Sequence, residues 1–77
     1  MAKMGPISRK VLIRRLRRLG FEGPFPGGSH DFMRRASDQM RVPIPRDDAK
    51  SREIGVELQK RILSEIGVST KDWCALD

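Results

Sequence analysis

Apolar positions in residues 8–19 recur at helical spacing. Leu12, Ile13, Leu16 and Leu19 share one face, while Lys10, Arg14, Arg17 and Arg18 share the opposite one. Ser8 stands at the N-cap position, and Gly20 stands where a left-handed residue would end the helix. A different period follows. Residues 21–25 and 30–35 are short, bounded by turn residues and rich in Phe, and both predict strands. Met40, Val42 and Ile44 alternate with Arg41, Pro43 and Pro45, the pattern of a half-buried strand. Pro24 and Pro26, like Pro43 and Pro45, remove ladder donors, so the first and third strands are expected at edges. Residues 35–39 read as the hairpin loop between the second and third strands.

The polar, unpatterned stretch 46–52 predicts a mobile loop. Ile54, Leu58, Ile62 and Ile66 then recur every four residues, with Leu63 beside them. They predict a second helix from near Val56 to Gly67. Ser69 and Asp72 resemble a capping box opening a short last helix, from which Trp73 and Leu76 fold back on the core. Trp73 offers a surface for base stacking, but in so thin a core packing is the stronger expectation. The sum is an α+β domain over residues 8–76, preceded by a mobile N-terminus at 1–7. Two helices cover one face of a three-stranded antiparallel sheet, and the other face is open. One alternative stays open. Phe32 and Met33 are adjacent and must point to opposite faces, and His30 shares a face with Phe32. With Phe32 under the helices His30 lies on the helix side; with Met33 there, it faces the open side.

Charge changes the picture more than composition does. The chain of 77 residues carries a net charge of +6. Residues 1–46 hold eleven Lys or Arg against three acids, and residues 47–77 hold five against seven. A basic half of this kind points to a polyanion, most simply nucleic acid. Arginine dominates the first helix, and its planar fork suits phosphate better than an ammonium does. The acidic half, with Glu53, Glu57 and Glu65 beside Lys60 and Arg61, reads as an ordinary solvated helix face and an optional docking surface. A chain this short buries only about 60% of its unfolded surface, so a deep pocket is not expected. The single Cys74 excludes an internal disulfide and fits a reducing, cytoplasmic setting. Residues 1–6 lead into charges, so neither a signal peptide nor a membrane span is expected.

The only histidine, His30, follows Pro26-Gly27-Gly28-Ser29. Two glycines permit positive φ, which would let their N–H groups converge on an anion beside a proton-transfer group. A glycine hairpin with a surface histidine is also common and without function.

The order of motifs resembles the HicA family of small mRNA-interferase toxins. They are a helix ending Leu19-Gly20-Phe21, then Gly28-Ser29-His30, then Val42-Pro43-Ile44-Pro45, then Ile54-Gly55-Val56 leading to Arg61-Ile62-Leu63, then Gly67-Val68-Ser69. The resemblance covers roughly residues 8–76. It departs at Arg15, Met33, Glu57, Pro24 and Pro26. It implies a double-stranded-RNA-binding-domain-like α-β-β-β-α fold and an endoribonuclease acting on mRNA. It also implies inhibition by a HicB-like antitoxin, and a catalytic histidine that here is His30. Gly28 and Ser29 match the residues before it. With Lys10, Arg14, Arg17, Arg18, Arg34 and Arg41 they are the candidates for holding RNA phosphate.

No cofactor is expected, because one histidine without a tight acidic cluster ligates a transition metal poorly. Two other classes compete: a non-catalytic double-stranded-RNA-binding module and, ranked lowest, a DNA-binding regulator. The first helix lacks the Asn or Gln that base readout often uses.

Overall fold

The computed structural model describes residues 4–28, 30–45 and 53–76. The stretch 46–52 lies outside the described residues. The chain opens with a two-residue strand, β1 (Ile7–Ser8), and enters α1 (Arg9–Arg18) directly. Ser8 caps the helix, its Oγ accepting the Val11 N–H at 3.1 Å. Leu12 and Leu16 lie one turn apart and are both fully buried. Gly20, at φ +94°, takes the left-handed turn that releases the chain into the sheet.

β2 (Phe21–Phe25), β3 (Asp31–Arg35) and β4 (Met40–Ile44) form an antiparallel sheet in the order β2-β3-β4, with the proline-bearing strands at its edges. The 36–39 turn is held by Asp38. Its Oδ1 accepts from Arg35 Nε at 3.1 Å and from the Met40 N–H at 3.2 Å, and its Oδ2 from Arg35 Nη2 at 2.7 Å. The second half contains β5 (Glu53–Ile54), α2 (Val56–Ile66) and α3 (Thr70–Cys74). Gly67 ends α2 at φ +74°, and Ser69 Oγ caps α3 by accepting the Asp72 N–H at 3.1 Å. Leu12 and Leu16 meet Met33, Val42, Ile44, Ile62, Leu63, Ile66 and Trp73 in one core.

The residues before α1 pack as well. Met4 and Ile7 lie against the core, and Ile7 pairs with Ile54 while Ser8 pairs with Glu53. Ile54 belongs to this ribbon, and α2 starts at Val56, where it was expected to start. Two-residue strands have no period to read, so the pattern could not reveal them.

The other finding is Gln59, buried in the middle of α2. Its Nε2 donates to the Gly5 carbonyl at 2.9 Å and to the Ile54 carbonyl at 3.0 Å. Its Oε1 accepts the Trp73 indole N–H at 2.9 Å. One amide satisfies three partners, of which the Ile54 carbonyl and the Trp73 indole are buried, and that is the condition under which a core tolerates it.

Gln59→Leu keeps the volume and strands the two buried partners, the Ile54 carbonyl and the Trp73 indole N–H. Each costs about 1–3 kcal/mol, against the ~5 kcal/mol that a domain of this size has in total. Urea unfolding of this variant should therefore show a loss of about half the stability or more, with Trp73 emission shifted to the red in the folded baseline. A midpoint within experimental error of wild type would remove the amide from its central place. A second expectation concerns pH. The hydrogen bond from Arg35 holds the Asp38 carboxyl below its ordinary value, and that same bond raises Arg35. A depressed carboxylate stabilises the fold above its unfolded value of about 3.9, and the contribution disappears as pH falls through the folded value. Asp38→Asn should melt slightly below wild type at neutral pH, slightly because the pair is exposed. The gap should close in the acid range below pH ~4; a gap that persists there would contradict the assignment.

Candidate nucleic-acid interface

The entry to β3 is pinned from the helix side. Asp31 lies opposite the buried Ile44 and so faces the core side of the sheet, where its carboxylate meets Arg9 Nη2 at 3.0 Å. Arg9 Nε donates to the Pro45 carbonyl at 2.8 Å. One guanidinium at the first position of α1 thus ties the start of β3 to the end of β4.

His30 is the residue before Asp31, exposed and in a bend just outside the strand. The alternative over Phe32 and Met33 is decided by burial. Met33 is fully buried, so it faces the helices, and Phe32 and Arg34 lie on the outer face. His30, two residues before Phe32, stands at the margin of that outer face.

Gly27 has a role other than the expected one. Neither Gly27 nor Gly28 adopts positive φ, so the pair forms no left-handed turn. A Cβ on Gly27 would collide with the His30 carbonyl oxygen, and it would come within 3.4 Å of Phe32 Cδ1. Gly27 is needed for a close approach of two backbone segments. Gly28 is exposed, and a Cβ there meets nothing. Ser29 lies outside the described residues.

The basic candidates fall into two groups. Lys10, Arg14, Arg17 and Arg18 are exposed on α1 and, with Ile13, line an open groove. Arg17 Nη2 also donates to the Gly23 carbonyl at 2.8 Å, which brings this group up to the edge strand β2. Arg34 and Arg41 form the second group. They are direct cross-strand neighbours on the outer face, with Glu22 on the far side of Arg34.

Two aromatics belong to this surface that pattern reasoning missed. Strict alternation puts Phe21 and Phe25 on one face, yet Phe21 is buried and Phe25 pairs with Phe32. The cause is a bulge between Glu22 and Phe25 that adds one residue to β2 and turns Phe25 outward. Gly23 makes it possible. Its φ is +121°, and a Cβ there would lie 3.1 Å from the Phe32 carbonyl oxygen. The Gly23-Pro24 peptide bond is cis. Gly-Pro between two phenylalanines was the one sequence signal for this irregularity. Arg9 was missed as well, because a residue at a helix start has no pattern that marks its partner across 22 positions of chain.

Among the described residues no three His, Cys, Asp or Glu side chains group as metal ligands. No described helix is long and apolar enough to cross a membrane.

The two glycines should separate on substitution. Gly27→Ala overpacks the loop against the His30 backbone, at a cost of about 1–3 kcal/mol. Gly28→Ala should be neutral or stabilising by up to ~1 kcal/mol, through the unfolded chain. Thermal melts give the order, and the His30 imidazole NMR signals should move in the first variant and stay in the second. Equal melting temperatures would contradict the close approach.

No curated protein matches the sequence. A family model described as HicA toxin of bacterial toxin-antitoxin matches residues 9–68, which take in α1, the whole sheet, His30 and α2. The chain belongs to the HicA toxin family.

Proposed function

We propose that this chain is the toxin of a type II toxin–antitoxin pair and acts as a metal-independent endoribonuclease on mRNA, with His30 as general acid or base. The observation that carries the reading is the position of the sole histidine. It is exposed where the loop after β2 meets the arginine-bearing outer face, in a chain matched to a toxin family.

The chemistry needs little apparatus. The ribose 2′-oxygen attacks its own phosphodiester, the P–O5′ bond breaks, and a 2′,3′-cyclic phosphate and a 5′-hydroxyl result. One proton leaves the 2′-hydroxyl and one reaches the 5′-oxygen. An imidazole titrates near neutral pH and is suited to either transfer, an effect worth typically 10²–10⁴-fold. The phosphate would be held by backbone N–H groups at Gly28 and Ser29 and by the arginines around them. Lys10, Arg14, Arg17 and Arg18 on α1, and Arg34 and Arg41 on the sheet, extend the cationic surface along the strand. The chain has one histidine and no tyrosine. The second proton therefore falls to water, a lysine or the substrate, and the enzyme is expected to be slow. A HicB-like antitoxin that covers His30 would deny RNA access, and the setting that fits is the cytoplasm.

Purified wild type and His30→Ala, assayed on an mRNA with and without EDTA, test this directly. His30→Ala should lose about 10²–10⁴-fold in cleavage rate with its melting temperature preserved, and EDTA should leave the wild-type rate unchanged. Expression of wild type alone should arrest growth, and co-expression of the antitoxin should restore it. Undiminished cleavage by His30→Ala refutes the catalytic assignment, as loss of activity in EDTA refutes metal independence. RNA binding without cleavage by the wild type would leave the non-catalytic RNA-binding module.

A further inference from the structure

The outer face carries two rows of side chains across its three strands. Glu22, Arg34 and Arg41 form one, and Phe25, Phe32 and Pro43 form the next. The Phe25 and Phe32 ring centroids are 5.6 Å apart with planes tilted by 39°. Neither ring is fully buried, and with Arg34 they line an open hollow of about 170 Å³. Guanidinium groups flank both rings, Arg34 Cζ at 5.8 Å from the Phe25 centroid and Arg41 Cζ at 5.0 Å from that of Phe32.

This arrangement is poor for folding. Two like charges directly opposite across a ladder destabilise a sheet. Arg34 Nε is enclosed, and among the described residues it has no hydrogen-bond partner. Phe25 and Phe32 are only half-buried on this face. The bulge at Gly23 is what puts Phe25 there, because a regular strand would have turned it inward. An anionic ligand with a flat apolar face answers each of these at once. It relieves the Arg34–Arg41 repulsion, covers the rings and stacks with their cationic flanks.

We propose that the Phe25–Phe32 hollow is a stacking subsite for an unpaired base of single-stranded RNA, with Arg34 and Arg41 on the phosphates beside it. The proposal rests on RNA as the substrate at His30. Phe32 lies two residues from His30, and the Gly27 backbone passes beside its ring. A base seated there would register the strand relative to the histidine. The base must be unpaired, since a duplex keeps its base faces stacked inside the helix and offers only grooves and backbone. Phe25 and Phe32 are thus binding residues, whereas His30 carries the chemistry.

Binding is measured in the full-length His30→Ala background, so that cleavage does not interfere. The probes are a fluorescein-labelled mixed-sequence RNA strand of about ten nucleotides, within the site sizes of single-strand grooves, a duplex RNA, and inorganic polyphosphate as a polyanion without bases. Phe25→Leu and Phe32→Leu should each weaken the single strand about 5- to 150-fold, the range of a lost base–aromatic stack. Duplex and polyphosphate affinities should be unchanged. Phe32→Tyr should bind the single strand as the parent does. The slope of log affinity against log salt should stay constant in the phenylalanine variants and fall by about one in Arg34→Gln.

Folded Phe→Leu variants that bind all three probes equally to the parent overturn the subsite. So does a parallel loss on all three, which would indicate a structural role. Variants that keep RNA affinity but lose the antitoxin assign the face to a protein partner, and also overturn it. None of these outcomes bears on His30, whose role is decided by cleavage alone.

Discussion

The side-chain amide of Gln59 is the contact on which the rest of the molecule turns. Among the described residues it is the one fully buried polar side chain. It joins α2 to the Gly5 carbonyl, to Ile54 in β5 and to Trp73 in α3. Gly5 and Ile54 in turn frame the β1–β5 ribbon, and the ribbon delivers Ser8, the cap of α1. The next residue, Arg9, reaches Asp31 and Pro45 and so sets where β3 begins, one residue after His30. Contacts thus run without a gap from the buried amide to the exposed histidine. In a domain with so thin a core, the order of the termini and the position of the site are one problem.

The number of arginines follows from the same shortage of core. Among the described residues four guanidinium groups lie over aromatic rings: Arg15 on Trp73, Arg34 on Phe25, Arg35 on Phe21 and Arg41 on Phe32. A small domain lacks the chain to cover every ring with apolar atoms. Arginine covers a ring with a flat group and stays charged. Arg15, one of the positions at which the chain departs from the family resemblance, lies over Trp73 in this way. A high arginine content is therefore not by itself a measure of nucleic-acid affinity. Arg35 is spent on Phe21 and Asp38, while Lys10 and Arg18 are exposed on α1.

How much of this was legible depends on whether a position obeyed a period. The caps at Ser8 and Ser69, the glycine stops at 20 and 67, and the alternation of Val42 and Ile44 are local, and each matched its expected element. The three-stranded sheet with helices on one face followed from them. What escaped was non-local or aperiodic. Gln59 looks like any polar residue on a helix until Gly5 is seen across 54 positions of chain. The β1–β5 ribbon is too short to show alternation. Alternation along residues 21–25 could not place Phe25, because a bulge interrupts the period. At the candidate site, His30 stood out in the sequence because it is the only histidine. Its sheet face was not, since Phe32 and Met33 are equally apolar and only packing chooses between them.

The departures from regularity are not spread evenly. Among the described residues the helices α1 and α3 keep serine caps, and α1 and α2 bury their apolar stripes. The positive-φ glycine inside a strand, the bulge, the opposed arginines and the enclosed Nε of Arg34 all lie within β2, β3 and β4. Natural sequences satisfy local rules nearly everywhere, and they break them where function competes with folding. By that criterion the outer face belongs with His30 in the candidate site. The fold keeps these irregularities on the face that its helices leave uncovered, which is where the base-stacking subsite is proposed.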